Sequence, residues 1–201
     1  MASIYNLKPR FQTFLRPLVQ ILADAAITAN QITIAAVVLS FFVGGLIAFN
    51  PSARWPLLLL PLGLFLRMAL NAIDGMLARE HHMQSPLGAI LNELGDVLSD
   101  VALYLPLALI GGISRPWLVA VIILAIISEM AGVVALQIGS PRRNDGPMGK
   151  SDRALVFGLF GLLMGLDWVA PTDFNYVLIV MAILLVATVL QRARRALAEA
   201  H

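Results

Sequence analysis

Residues 71 to 100 read N-A-I-D-G-M-L-A-R-E-H-H-M-Q-S-P-L-G-A-I-L-N-E-L-G-D-V-L-S-D. This stretch sets polar side chains inside two otherwise apolar runs. Asn71 and Asp74 are three apart, and Asn92, Asp96 and Asp100 follow at steps of four. On a helix those steps put side chains on one face, about 5–6 Å between neighbours. A carboxylate inside a membrane helix costs about 2.5–3.5 kcal/mol on insertion scales and marks a functional position by default. Three aspartates in two consecutive apolar segments ask for a cation or a polar substrate.

The surrounding chain is apolar. Of 201 residues 59% are hydrophobic and 13% charged, with mean hydropathy +0.84. Soluble domains carry about a quarter charged residues, so the composition predicts an all-α integral membrane protein of one domain. With no cysteine, disulfide and thiolate chemistry are excluded. A net charge of +2 is too small to suggest nucleic acid. No small-residue site closes an apolar core near the N-terminus, so no cleaved signal peptide is expected.

Six apolar spans are predicted, over about 30–49, 55–79, 86–110, 116–138, 151–169 and 174–190. Each approaches the roughly 20 residues that cross a hydrocarbon core. Thr28 to Gln31 offer capping side chains for the first, and Pro86 is a favoured first helical residue for the third. Before them, residues 5 to 26 are amphipathic. Phe11, Phe14, Leu15, Leu18, Val19 and Leu22 recur at helical spacing among Lys8, Arg10 and Arg16, while Pro9 and Pro17 interrupt the run. That pattern suits a helix in the membrane interface or an ordinary first helix packed on the bundle. The expected organisation is an interfacial helix over 1–27 and a six-helix bundle over 28–192.

Six spans place both termini on one side. That side then holds Lys8, Arg10, Arg16, Arg79, Arg142, Arg143, Lys150, Arg153, Arg192, Arg194 and Arg195, and the other holds Arg54 and Arg115. This asymmetry puts the termini in the cytoplasm and the protein in the inner membrane. The carboxylates of the second and third spans lie near their cytoplasmic ends.

Asp74-Gly75-x2-Ala78-Arg79-x8-Gly88-x3-Asn92-x3-Asp96, with Asn71 three residues before it, resembles the CDP-alcohol phosphatidyltransferase signature D-x2-D-G-x2-A-R-x8-G-x3-D-x3-D. Every spacing matches. Asn71 and Asn92 replace the first and third aspartates. The resemblance implies an enzyme of phospholipid biosynthesis that transfers a phosphatidyl group from CDP-diacylglycerol to an alcohol and releases CMP. It further implies a divalent cation, Mg or Mn, bound around Asn71, Asp74, Asn92 and Asp96. Asp74, Gly75, Ala78, Arg79 and Gly88 would hold the CDP moiety, and Asp96 falls at the general-base position. A membrane-embedded homodimer is expected.

Read without the motif, the glycines are packing contacts and Arg79 is a cytoplasmic anchor. His81 and His82 are expected on an exposed loop rather than on a metal, and Glu129 is expected to pair with Arg67 rather than to help the site. Asparagine keeps a carbonyl oxygen and loses the charge, so two departures remain open. Either Asp96 and Asp100 together serve as the third and fourth aspartates, or the site holds one metal tightly and a second weakly. Glu93 does not replace Asn92, because one step along a helix turns a side chain about 100°.

The loop from Arg142 to Arg153 sets four cations around Gly146 and Gly149 before a helix that Ser151 or Asp152 would cap. Lys150 and Arg153, and less so Arg142 and Arg143, are candidates for an acceptor phosphate. Their alternative role is positive-inside topology. Glycerol 3-phosphate is the simplest acceptor that fits. Two rival functions stand beside the transferase: a degenerate member that binds CDP-lipid without turnover, and a small transporter. The transporter does not account for the spacing of Gly75, Ala78, Arg79 and Gly88.

Overall fold

The architecture is that of a computed structural model. It describes residues 7–200, with side chains from residue 11 onward. Tyr5 and Asn6 of the predicted amphipathic segment lie outside the described residues. Seven α-helices follow in order: α1 (Leu7–Asp24), α2 (Ala29–Phe49), α3 (Trp55–Glu80), α4 (Pro86–Tyr104), α5 (Arg115–Val134), α6 (Lys150–Gly165) and α7 (Phe174–Glu199). Short 3-10 segments over Leu105–Leu109 and Ala135–Ile138 continue α4 and α5.

The helix starts follow local chemistry. Thr28 Oγ1 accepts from Gln31 N, and Gln31 Oε1 accepts from Thr28 N, a reciprocal capping box at α2. Pro86 opens α4, where Ser85 Oγ accepts from Gly88 N. At α6 the cap is Asp152, whose carboxylate accepts from Gly149 N at 2.9 Å. The helix begins at Lys150, one residue earlier than predicted. The last helix runs on to Glu199, beyond the predicted 190.

α2 packs on α3 and α4, α3 packs on α6, and α5 packs on α7. The larger core gathers where α4 ends and α7 begins. Tyr104 stacks on Phe157 with ring centroids 3.9 Å apart, and Phe157 meets Phe174 edge-on at 5.6 Å. A smaller core at the opposite end joins Leu15 and Val19 of α1 to Ile32, Ile73, Met76 and Leu77. The polar stretch thus begins beside the smaller core and ends against the larger one, where Asp100 lies near Tyr104, Ile122 and Ala125. α1 is held there by an Arg16–Glu80 ion pair at 3.2 Å. Its outer side chains Phe14 and Ile21 are exposed.

Among the described residues four helices are long and apolar enough to cross a bilayer: those over Ala29–Phe49, Trp55–Glu80, Arg115–Ile138 and Phe174–Glu199. α4 and α6 differ for a physical reason. α4 carries Glu93, Asp96 and Asp100 within its 19 residues, and α6 has only 16 and begins with Lys150, Asp152 and Arg153. Exposed Phe41, Phe42, Phe65, Ile123 and Ile183 coat the outside, as expected of an integral membrane protein, whose outer surface meets lipid.

Gly44 sets the approach of α2 to α4. A Cβ there would lie 1.9 Å from the Ala102 carbonyl oxygen, a backbone atom that cannot rotate aside. Gly44→Ala is expected to cost about 3 kcal/mol, the upper range for overpacking, read as a lower thermal-unfolding midpoint in detergent. An unchanged midpoint would mean that the two helices do not meet at this glycine.

Candidate active site

α2, α3 and α4 enclose a cavity of about 560 Å³. Asn30 and Thr33 line it from α2, Asp74, Gly75, Ala78 and Arg79 from α3, and Gly88 and Asn92 from α4. The five positions expected to hold a CDP moiety therefore share one wall system. Small residues make the room. A Cβ on Gly75 would stand 3.0 Å from the Arg79 guanidinium, and one on Gly88 would stand 2.7 Å from Asn30 Oδ1.

Asp74 is 5% exposed. Its Oδ2 accepts a 2.8 Å bond from Thr33 Oγ1. Among the described residues no cation pairs with Asp74, and no carboxylate pairs with Arg79. The cavity thus presents one carboxylate and one guanidinium whose charges are not cancelled by neighbours.

Asp96 is in a different state. Asn71 Nδ2 donates to its Oδ1 at 2.8 Å, and Lys150 Nζ donates to its Oδ2 at 2.5 Å. Arg67 adds a 2.9 Å bond to the Asp96 carbonyl and a 3.4 Å contact to Oδ1. One turn on, Asp100 is buried between two guanidiniums, with Arg67 Nη1 at 2.6 Å and Arg153 Nη2 at 2.8 Å. Arg67 therefore pairs with Asp100 and Asp96, not with Glu129 as expected. α5 instead turns Glu129 toward the loop, α6 and α7, where it meets Arg142 at 3.4 Å, Arg153 at 3.1 Å and Arg192 at 3.6 Å.

The four cations offered for an acceptor phosphate all have acidic partners. Arg153 is 1% exposed between Asp100 and Glu129. Arg143 holds Asp145 and Glu199. Lys150 and Arg142 keep the most open side chains, 31% and 26% exposed, while bonded to Asp96 and Glu93 respectively. Arg142 is held above its ordinary pKa: burial alone would lower it, but the hydrogen bond and charge of Glu93, then the charges of Glu129 and Asp96, raise it by more. Glu93 turns to Arg142 while Asn92 lines the cavity, as one step along a helix requires.

A divalent cation of the magnesium type needs hard oxygen donors. Asp74 and Asn92 offer a carboxylate and an amide oxygen to one cavity, which fits one such ion with water or phosphate completing its shell. Asp96 already has donors on both oxygens, and among the described residues no three His, Cys, Asp or Glu side chains gather around a common point.

Several contributors were not legible beforehand. Thr33 lies 41 residues from Asp74 in an apolar run, so nothing local linked them. Arg192 was read as a topological charge, yet it is 1% exposed and donates to the Asp145 and Ser128 carbonyls. Its spacing from Leu185 and Thr188 on the buried face of α7 was the available signal.

Comparison with known proteins identifies the family and the fold. The chain is 44% identical over 199 residues to the inner membrane protein YnbA of Escherichia coli (strain K12), covering 97% of this chain and 96% of that one. Its fold is similar to Mycobacterium tuberculosis phosphatidylinositol phosphate synthase (PgsA1) in two solved structures. In complex with manganese and citrate, the TM-score is 0.74 at 19% identity, covering 90% of this chain and 87% of that one. With CDP-DAG bound, it is 0.71 at 18% identity, covering 90% and 92%. The model for the CDP-alcohol phosphatidyltransferase family matches residues 26–193. The chain, motif, cavity and helices together, belongs to the CDP-alcohol phosphatidyltransferase family, a class of transferases.

Proposed function

We propose that the chain transfers a phosphatidyl group from CDP-diacylglycerol to a small phosphorylated alcohol, most simply glycerol 3-phosphate, giving phosphatidylglycerol phosphate and CMP. The observation that carries this reading is the cavity between α2, α3 and α4. It collects Asp74, Gly75, Ala78, Arg79 and Gly88, and leaves the charges of Asp74 and Arg79 free for a substrate. The similar fold of a synthase solved with CDP-DAG bound supports the donor.

In this reading Arg79 forms a fork on the pyrophosphate oxygens. The acceptor hydroxyl oxygen attacks the phosphorus that bears diacylglycerol. The bond from that phosphorus to the CMP oxygen breaks, and the hydroxyl proton passes to Asp96. Catalysis of this kind is mainly positioning and charge stabilisation. Asp74 and Asn92 would hold a divalent cation, magnesium or manganese, whose chemistry when bound is to neutralise the pyrophosphate and the departing CMP. Lys150 and Arg142 meet the acceptor phosphate from the half-open side. Arg143 and Arg153 stand behind them, and Asp100 fixes Arg67 and Arg153 as a positioning residue.

The same reading gives one domain with six spans, α4 and α6 crossing beside the four more apolar helices, and α1 lying in the interface. Both termini face the cytoplasm from the inner membrane, and the chain forms a homodimer. Diacylglycerol chains enter sideways between helices.

CMP release from CDP-diacylglycerol by the purified protein tests it. The expected result is release that needs magnesium or manganese, stops with chelator, and requires one of glycerol 3-phosphate, inositol phosphate or serine. A second reading, CDP-lipid binding without turnover, is favoured by the donors already seated on Asp96. Retained CDP-lipid binding with no CMP release under any acceptor would select it.

A further inference from the structure

We propose that the ammonium of Lys150 serves as the site's second cation, in place of a second divalent ion, so that the chain works with one divalent ion. This rests on the transferase reading. Lys150 opens α6, 54 residues beyond Asp96, and its Nζ reaches Asp96 Oδ2 at 2.5 Å. The Lys150 side chain is about a third exposed, whereas that of Asp96 is mostly covered. The ammonium therefore stands between a carboxylate and the open side of the site. It has three N–H donors. One is spent on Asp96, and the others are free to turn toward phosphate oxygens, where they would supply the neutralising charge of a second ion.

Asn71 belongs to the same arrangement. Its Nδ2 donates to Asp96 Oδ1 at 2.8 Å. An ionised aspartate at residue 71 has no proton to donate and would repel Asp96 at that distance. A metal between two carboxylates would remove the repulsion. An amide removes it without a metal, and so suits a carboxylate already neutralised by lysine.

Charge counting agrees. Lys150 cancels Asp96. Arg67 and Arg153 cancel Asp100 and Glu129. Asp74 and a pyrophosphate diester together carry three negative charges, matched by one divalent ion and Arg79. Before the acceptor phosphate arrives, a second divalent ion would leave two positive charges in excess in a half-buried site, where unbalanced charge is costly.

The test is the number of manganese ions bound per chain. Detergent-solubilised protein with CDP-diacylglycerol is titrated with Mn2+ by calorimetry and electron paramagnetic resonance. The expected result is one ion per chain with the spectrum of an isolated ion. Asn71→Asp/Asn92→Asp with Lys150 retained should still bind one. Adding Lys150→Gln should raise the count to two, with a spin-coupled spectrum. Two ions, or none, on the unmodified chain overturns the proposal whether or not the variants fold. One ion on the folded triple variant overturns it as well. CMP release measured in parallel separates the two readings. Two ions with acceptor-dependent CMP release removes the lysine proposal alone, and one ion without CMP release removes the transferase reading alone.

Discussion

Asp74→Asn lowers the rate of CMP release by about 10³-fold, the upper range for removing one preorganised electrostatic partner, while the protein stays folded. The amide is nearly isosteric, and its oxygen can still accept from Thr33 Oγ1. What disappears is the one carboxylate that lines the cavity, since Asn92 is already neutral. The thermal midpoint without ligand should match or exceed that of the unmodified chain, because a buried charge lacking a cationic partner is removed. Initial rates and thermal unfolding on the same preparation check both halves. Full activity in Asp74→Asn would move the chemistry out of this cavity.

Arg153→Met should cost about 3–5 kcal/mol, the range for removing one partner of a buried ion pair. Arg153 is 1% exposed and serves two carboxylates, Asp100 at 2.8 Å and Glu129 at 3.1 Å. Without it, Asp100 keeps only Arg67, and Glu129 keeps the longer contacts to Arg142 and Arg192. Adding Asp100→Asn should recover part of the loss, since one of the stranded charges is then neutral. Unfolding midpoints of the single and double variants measure it. Stability equal to the unmodified chain in Arg153→Met would show that water reaches this network.

What could be read from the chain depended on distance along it. The capping at Thr28 and the start at Pro86 are local patterns that the structure keeps, and the motif residues from Asp74 to Asn92 line one cavity. The spacing argument that separated Glu93 from Asn92 also held, because it needs only the pitch of one helix. Partner choice between helices was another matter. Arg67 had Asp96, Asp100 and Glu129 as possible partners, and chain order does not say which helix packs beside α3. Glu129 was given to the wrong arginine for that reason. Span strength was ambiguous in α4 and α6 because the residues that do chemistry are those that lower hydropathy. The state of Asp96 was hidden most deeply: its amide donor is 25 residues away and its ammonium donor 54.

The ion pairs inside the bundle bear on how the chain is made. Arg67 leaves the ribosome 33 residues before Asp100, and Arg153 follows 53 residues after Asp100. An arginine alone at the centre of a lipid-exposed helix costs about 2.5–3.5 kcal/mol on insertion scales. α3 on its own is therefore a poorer passenger into the bilayer than its hydropathy suggests. It gains when α4 is beside it in the insertion machinery, and both gain again when α6 arrives. The order of synthesis and the pattern of charges together favour release into lipid as a growing cluster over partition of one helix at a time.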